Sequence, residues 1–599
     1  MKYPALTELY ASRQMIDVFG GYNHNLRIGE GEFFDMENLT SDDYPVLSPR
    51  SKRGVYKSEG NPQGIIAKDS LCYVDGTDFI INEYRVPVGL STRAEDCPKS
   101  LISMGAYVII MPDKKYVDTI NFATQTDFSI EASYKSDSLV EFELCNVEGE
   151  VYSYSYDPTE QEGHYWMDTS RETIVLKRYS EEDKSWMPVQ NTYVKISTDG
   201  IGKSFAVGDG VIIYNLTRSD GKSLANTPLF IEKKEDNYIM VKGIIENFDL
   251  NPMDQEFITI KRQMPNMDFI IESNNRLWGC RYGVALNGQV VNEIYASKQG
   301  DFKNWNSFAG ISTDSYAVSL GSDGQFTGAI THLGYPLFFK ENCVHKVYGN
   351  MPSNYQIQTT PCRGVQKGCS ESLAIVNETL FYKSRSAICA YDGSLPQEIS
   401  SALGDMSYGD AVAGSLGNKY YISMRDANEQ YHLFVFDTSK RMWHREDNTK
   451  AEAFCTCRGN LYYIERYKVI EDGETIERGR IKTVRQPASD IEGVVDESSI
   501  KWRAVTGVIG TDAPDKKYIS RLVVRMSLEV GAKALFYIDY DSVGAWEHLF
   551  TMSGTALTLR SFSVPIKPKR CDHMRIRIEG EGVAKIYSIC KTIEQGSDA

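Results

Sequence analysis

The residues from Ala374 to Glu465 carry the clearest structural pattern in the chain. The centre of this stretch reads Lys419-Tyr420-Tyr421-Ile422-Ser423-Met424, then a polar turn over Asp426–Glu429, then Tyr431-His432-Leu433-Phe434-Val435-Phe436-Asp437. Similar clusters flank it at Leu380–Tyr391 and Ala453–Ile464. Aromatic and β-branched runs suit a pleated, half-buried surface, and the Gly, Asn, Asp and Ser between them supply turns. This stretch therefore predicts a string of antiparallel β-hairpins.

The same rhythm recurs outside this stretch, with a period of ~40 to 50 residues that is typical of β-propeller blades. A lone four-stranded sheet cannot bury both faces, so such units stack on one another. The sequence predicts first blades over residues 61–120 and the remaining blades over 265–486, seven at most.

The other parts of the chain have different patterns. We expect an N-terminal arm over residues 1–60 that packs on neighbouring molecules or on the propeller, with a short helix at Glu30–Leu39. Residues 121–264 predict one or two inserted β domains, and residues 487–499 read as a polar, acidic linker. Residues 500–599 alternate with period two, as in a β-sandwich with one face in water. The fold class is therefore all-β: an irregular β-propeller with inserted β-barrel-like domain or domains and a C-terminal β-sandwich.

Charge is unevenly distributed along the 599 residues, whose formal net charge is −16. Residues 500–599 carry 15 Lys and Arg against 11 Asp and Glu, which leaves 50 against 70 for residues 1–499. An acidic body argues against wrapping nucleic acid, because phosphate binding depends on Lys and Arg releasing counterions. Many soluble proteins are acidic, so this charge alone indicates no partner. No apolar run approaches the ~20 residues that span a bilayer, and we expect no N-terminal signal segment.

A search for chemistry predicts no catalytic, cofactor-binding or metal-binding residues, so we expect that the protein is not an enzyme. Cys455 and Cys457 could share one strand face, but no second pair at ligand spacing accompanies them. His432 and His444 lie in aromatic strands, where a structural histidine is the usual case. The segment Ser297–Trp305 has the Trp of a sialidase-type turn with its Gly and Asp misplaced. With 81 acidic residues, the sequence cannot select the carboxylate pair of a glycosidase.

One run resembles a known group of proteins. Phe33-Phe34-Asp35-Met36-Glu37-Asn38-Leu39-Thr40-Ser41-Asp42-Asp43-Tyr44-Pro45-Val46-Leu47-Ser48-Pro49-Arg50 is similar to the opening of tailed-phage virion proteins labelled stabilisation or tail proteins, as are Met111–Tyr116 and Tyr295–Phe302. That group is similar to the tail nozzle, or tubular tail, proteins. Residues 500–599 show no comparable resemblance.

The resemblance implies a structural virion protein. It implies a homo-oligomeric ring, commonly of six copies, that continues the DNA ejection channel below the portal and adaptor and contacts other tail proteins. Genomic DNA would pass without specific binding, and the protein would assemble in the host bacterial cytoplasm into the virion tail. The paired Arg575 and Arg577 on one strand face suit a subunit that contacts its neighbours.

Two alternatives stay open. One is a tail protein that binds a host receptor or glycan, with Trp166 and Trp186 stacking on sugar rings. The other is a propeller hydrolase of cell-envelope polysaccharide, which requires a facing carboxylate pair.

Overall fold

A computed structural model describes residues 11–57, 60–92, 98–170, 174–190, 192–214, 228–242, 258–284, 288–471, 474–485, 495–511, 516–555 and 558–595. Within these ranges the chain is all-β, as predicted, and the helical elements are single 3-10 turns. The 3-10 turns are Ile201–Ser204, Pro352–Asn354, Ser370–Ser372 and Ser401–Leu403.

The first part of the chain forms short strands and then regular hairpins. These strands are β1 (Ala11–Ile16), β2 (Gly21–Tyr22), β3 (Glu32–Glu37), β4 (Leu39–Thr40), β5 (Ser48–Pro49), β6 (Gly54–Lys57), β7 (Pro62–Ala67), β8 (Leu71–Asp75), β9 (Asp78–Ile81), β10 (Tyr84–Val86), β11 (Ser100–Met104), β12 (Tyr107–Met111) and β13 (Lys115–Asp118).

The middle of the chain contributes two further sheets. Its strands are β14 (Ala132–Lys135), β15 (Glu141–Cys145), β16 (Tyr154–Ser155), β17 (Tyr165–Asp168), β18 (Val175–Ser180), β19 (Ser185–Pro188), β20 (Tyr193–Ser197), β21 (Gly210–Tyr214), β22 (Pro228–Glu235), β23 (Tyr238–Lys242) and β24 (Thr259–Arg262).

Hairpin meanders then resume. The strands are β25 (Phe269–Ser273), β26 (Arg276–Val284), β27 (Val290–Ala296), β28 (Tyr316–Ser319), β29 (Phe326–His332), β30 (Tyr335–Lys340), β31 (Cys343–Tyr348), β32 (Gln356–Pro361), β33 (Ala374–Val376), β34 (Thr379–Lys383), β35 (Ile388–Tyr391), β36 (Gln397–Glu398), β37 (Tyr408–Leu416), β38 (Lys419–Asp426), β39 (Tyr431–Asp437), β40 (Met442–Arg445), β41 (Ala451–Cys457), β42 (Asn460–Glu471) and β43 (Glu474–Thr483).

The C-terminal strands alternate between buried and accessible positions, most regularly in the eight residues Met574–Glu581. They are β44 (Val495–Asp496), β45 (Lys501–Thr506), β46 (Lys517–Leu528), β47 (Lys533–Tyr540), β48 (Glu547–Ser553), β49 (Arg560–Val564), β50 (Met574–Glu581) and β51 (Ala584–Gln595).

Each meander is a sheet whose strands neighbour one another in chain order. This holds for β7 to β10, β11 to β13, β25 to β28, β29 to β32 and β33 to β36, and β41 to β43 continue into β6 and β44. The inserted region forms a seven-stranded sheet in the order β14-β24-β21-β22-β23-β20-β15 and a four-stranded sheet of β16 to β19. Residues 486–494, which include most of the predicted linker, lie outside the described ranges.

The chain divides into two compact units. The first comprises residues 1–101, 339–344 and 360–599, and the second comprises residues 102–338 and 345–359. In the first unit, successive first strands of the meanders contact one another: β33 with β37, β37 with β41, and β41 with β7. In the second unit, the inserted sheets enclose a core that includes Val194, Ile196, Ile231 and Ile260.

The N-terminal segment is part of the first unit's sheets. A ten-stranded sheet has the order β37-β38-β39-β40-β2-β3-β45-β50-β47-β48, so β2 and β3 connect a meander to the C-terminal strands. Strand β1 pairs with β51 in a second sheet, and β6 pairs with β43. Residues 11–57 therefore find their partners within their own chain, and their pairing does not require a neighbouring molecule.

The predicted helix at Glu30–Leu39 is wrong, because this segment forms β3 between β2 and β45. Its backbone groups bond to neighbouring strands, and Phe33 and Met36 are buried there. Tertiary pairing and burial outweigh a weak local helix preference.

Candidate interaction surfaces

The two closely spaced cysteines lie in an apolar environment. Cys457 is buried in a cluster with Leu71 and Tyr462, and Cys455 packs against the same cluster. Burial raises the pKa of Cys455 to about 12. A thiol with this pKa stays protonated at neutral pH, whereas the thiolate is the form that binds metals.

The strand histidines occupy different surroundings. His432 Nε2 lies 3.0 Å from Asp426 Oδ2. His444 is buried in β40, and burial lowers its pKa to about 3, with a further contribution from the Lys419 charge. Its ring is therefore neutral at physiological pH.

The segment Ser297–Trp305 forms a packed turn. Trp305 is buried and donates from Nε1 to the Phe302 carbonyl at 2.9 Å. Its ring belongs to a core cluster with Phe302 and Leu277, so it is not available to a ligand.

A cavity of about 520 Å³ in the first unit is lined in part by the buried side chain of Lys383. Lys383 Nζ donates to Gln366 Oε1 at 3.0 Å, and burial lowers the pKa of this amine. The lining also includes Glu398, whose carboxylate accepts from Arg363 at 2.8 Å. Both charged groups are thus engaged by groups of the protein.

The two arginines of β50, Arg575 and Arg577, already contact side chains of their own C-terminal region. Arg575 donates to the buried Asp539 at 2.6 Å, and both guanidinium groups stack on Trp546. Arg577 also lies 4.5 Å from the centre of the Tyr537 ring. These contacts compensate the two positive charges locally, so the prediction that this pair serves neighbours finds no support in the contacts.

A different arginine set lies on the outer face of the sheet β1-β51-β46-β49. Arg13 and Arg521 both face Thr592 across the ladder, and Arg525 follows two positions after Val523 on the same face. All three arginines are exposed, and in the described part of the chain none forms an ion pair with a carboxylate. Met15, which is 60% exposed, lies on the edge strand β1, opposite Cys590 of β51. We call Arg13, Met15, Arg521, Val523 and Arg525 the basic face.

Polar contacts on the basic face come from sulfur and hydroxyl groups. Arg13 Nε lies 3.2 Å from Cys590 Sγ, and Arg525 Nε lies 3.3 Å from Ser561 Oγ. Only a weak signal in the sequence points to this face, namely the positive charge balance of residues 500–599.

A surface of negative charge lies on the four-stranded sheet of the second unit. Six exposed carboxylates border it in two loops, and we call them the acidic rim: Asp157, Glu160, Glu162, Glu181, Glu182 and Asp183. Glu162 joins the loops by accepting from the Glu181 amide at 2.6 Å. Burial, together with the charges of Glu160, Glu181 and Glu162, raises the pKa of Tyr179.

Next to the acidic rim lie the two tryptophans selected from the sequence. Trp166 and Trp186 pack edge to face at 5.2 Å, and both are half-buried. Trp186 also packs on Tyr179 at 5.3 Å, and Lys177 Nζ lies 5.1 Å from the Trp166 ring centre. Trp166 Nε1 donates to the Tyr156 carbonyl, so only the ring surfaces remain for a partner.

No helix in the described part of the chain is long and apolar enough to cross a membrane. In the same residues, no group of three or more His, Cys, Asp or Glu side chains is arranged to hold a metal ion.

The sequence matches no protein-family model and no curated protein. Solved structures with some similarity include an exo-β-1,3-galactanase from Phanerochaete chrysosporium, at 10% identity and a TM-score of 0.20, covering 54% of this chain and 94% of that one. Another is an acylaminoacyl peptidase from Pyrococcus horikoshii, at 13% identity and a TM-score of 0.24, covering 55% of each chain. A third is an extracellular domain of a hybrid two-component system from B. thetaiotaomicron, at 7% identity and a TM-score of 0.15, covering 94% and 98%.

These similarities correct one expectation from the sequence. The first two structures are hydrolases, and a family 43 arabinoxylan arabinofuranohydrolase from Bacillus subtilis is also among the matches, at 8% identity and a TM-score of 0.18, covering 54% of this chain and 94% of that one. The expectation that this protein is not an enzyme is therefore withdrawn. At these TM-scores the similarity assigns no reaction to the chain.

Proposed function

We propose that this protein is a structural component of a tailed-phage virion: a ring subunit of the tail nozzle, or of a head-to-tail stabilising assembly, that forms part of the DNA ejection channel. Its partners are other copies of the chain, six in a ring, together with the adaptor or portal side and further tail proteins. The meanders are proposed to be blades of an irregular β-propeller, with an inserted β-barrel-like domain and a C-terminal β-sandwich.

The observation that carries this proposal is the structural role of the segment with the phage resemblance. In residues 33–50, the side chains of Phe33, Met36, Leu39 and Leu47 are at most 3% exposed. Strand β3 of this segment closes the ten-stranded sheet between a meander and the C-terminal strands. A continuous hydrogen-bonded ladder of this kind braces the two regions, which suits a part that carries mechanical load during DNA passage.

Ion pairs fix the end of the same segment. Arg50 donates to both carboxylate oxygens of Glu497, at 2.8 and 3.0 Å. Arg53 donates to Glu446 and Asp447, each at 2.6 Å. Paired geometry of this quality holds buried charges in one arrangement.

Electron microscopy of the purified 599-residue chain, together with antibody labelling of the phage particles, tests the proposal. We expect rings with a central channel and labelling at the tail. A monodisperse monomer that is absent from particles would contradict it.

A second candidate is a tail protein that binds a host glycan through Trp166 and Trp186. The half-exposed, mutually packed rings favour it, because aromatic faces stack on sugar rings. A glycan array probed with the full chain is the test. Binding that disappears in Trp166→Ala and Trp186→Ala, and persists in Trp546→Ala, supports this candidate, while an array without signal rejects it.

A further inference from the structure

We propose that the basic face of one copy docks on the acidic rim of a second copy, which makes this pairing the contact between neighbouring subunits. The inference rests on the proposed ring function and deepens it by naming the surfaces that meet. The two surfaces differ, so the contact is head-to-tail, and repeated head-to-tail contacts produce a ring when the rotation closes.

The charge of the two surfaces is complementary. The basic face presents three exposed guanidinium groups that no carboxylate of the described chain neutralises. The acidic rim presents six exposed carboxylates, with Arg178 and Lys184 as nearby positive groups. Complementary charge steers association and excludes wrong registers, while like charges at the contact repel.

The basic face also has the composition of a protein contact. Met15 and Val523 both lie opposite Cys590 and so add apolar side chains to the row between Arg521 and Arg525, and the acidic rim borders the Trp166 and Trp186 rings. Arg, Met and aromatic side chains are enriched at protein interfaces, and Trp and Arg supply many of their strongest contacts. Phosphate binding gains nothing from the exposed Met15 beside the arginines, whereas a protein contact can bury it, which favours a second copy over DNA.

The test is a charge swap in the full chain, measured by sedimentation velocity and native mass spectrometry. Arg521→Glu with Arg525→Glu reverses the basic face, and Glu181→Lys with Glu182→Lys reverses part of the acidic rim. We expect each double variant alone to lose assembly, with an association constant at least tenfold lower than that of the unmodified chain. Mixed in equal amounts, the two variants restore assembly, because each contact again joins opposite charges.

The matched control is Lys501→Glu with Lys533→Glu, which reverses two exposed lysines on the ten-stranded sheet. We expect this variant to assemble like the unmodified chain. The same measurements at low and high salt should show weaker assembly of the unmodified chain at high salt, since screening reduces attraction between exposed charges.

The outcomes separate this inference from the proposed function. If the double variant Arg521→Glu with Arg525→Glu forms rings as well as the unmodified chain, the proposed contact is wrong and the proposed ring function still stands. An unmodified chain that stays monomeric overturns both. Unchanged assembly combined with arginine-dependent binding of a DNA duplex assigns the basic face to nucleic acid and overturns the inference.

Discussion

Arg53 donates from Nη2 to Glu446 Oε2 at 2.6 Å, and the two side chains are only 3% and 4% exposed. This contact joins the N-terminal segment to the loop after β40, across 393 positions of sequence. Removing one partner of a buried ion pair leaves an uncompensated charge, which is more costly than losing an exposed pair.

We expect Glu446→Ala to lower the free energy of unfolding by up to about 3 kcal/mol, because Arg53 then keeps only the partly exposed Asp447 as an acidic partner. Urea titration followed by tryptophan fluorescence measures it. Arg363→Ala is the control: its pair with Glu398 is 54% and 43% exposed, and such pairs contribute about 0 to 1 kcal/mol. Equal losses of stability in Glu446→Ala and Arg363→Ala would contradict the burial of the Arg53–Glu446 pair.

Phe33 and Phe34 provide a matched test of the position of β3 in the ten-stranded sheet. Phe33 is 1% exposed, whereas Phe34 is half-buried and stacks on His24 at 4.2 Å. We expect Phe33→Ala to cost about 3 to 5 kcal/mol, because it leaves a cavity in the core, and Phe34→Ala to cost clearly less. Thermal unfolding of both variants is the measurement, and the reverse order would show that β3 is misplaced.

Gly414 permits the close approach of β37 to β41. A Cβ atom at this position would lie 2.5 Å from Phe454 Cβ. We expect Gly414→Ala to destabilise the protein by about 1 to 3 kcal/mol through overpacking. At Gly321 an added Cβ meets nothing within 4 Å, so Gly321→Ala should be neutral or slightly stabilising. Denaturant midpoints compare the two, and an unaffected Gly414→Ala protein would contradict the strand contact.

His444 should make the protein sensitive to mild acid. Burial lowers its pKa to about 3, whereas an unfolded histidine titrates near about 6.5. Between these values the unfolded chain binds a proton that the folded chain does not, so stability is fully present above pH ~6.5 and falls as pH decreases. The loss from this residue between pH 7 and pH 5 should be about 2 kcal/mol.

The His444→Gln variant should lose that part of the pH dependence, and urea titrations at pH 7 and pH 5 would show it. His164→Gln, at a half-buried position just before β17, is the control and should keep the full dependence. An unchanged slope in His444→Gln would mean that the imidazole is not shielded from water.

Local patterns in the sequence predicted the all-β class and the hairpins of the meanders correctly. Turns and alternating side chains are encoded within a few residues, so Lys419–Asp426 and Tyr431–Asp437 pair as their pattern indicates. The pattern was misleading at Glu30–Leu39, where the strand exists only because β45, far along the chain, supplies its hydrogen-bond partners.

The candidate surfaces depended more strongly on tertiary structure. The sequence identified Trp166 and Trp186, and it identified Arg575 and Arg577, which turned out to be compensated by Asp539 and Trp546. It could not identify the basic face, since Arg13 and Arg521 belong to opposite ends of the chain and lie on one face only because β1 and β46 both pair with β51.

The strand content, the turns and the uneven charge follow from the order of residues alone, because each depends on residue types and on neighbours a few positions away. The tertiary structure alone decided which strands the N-terminal segment joins and which charges stay unpaired. Both depend on contacts between residues that are hundreds of positions apart, and local patterns carry no information about such contacts.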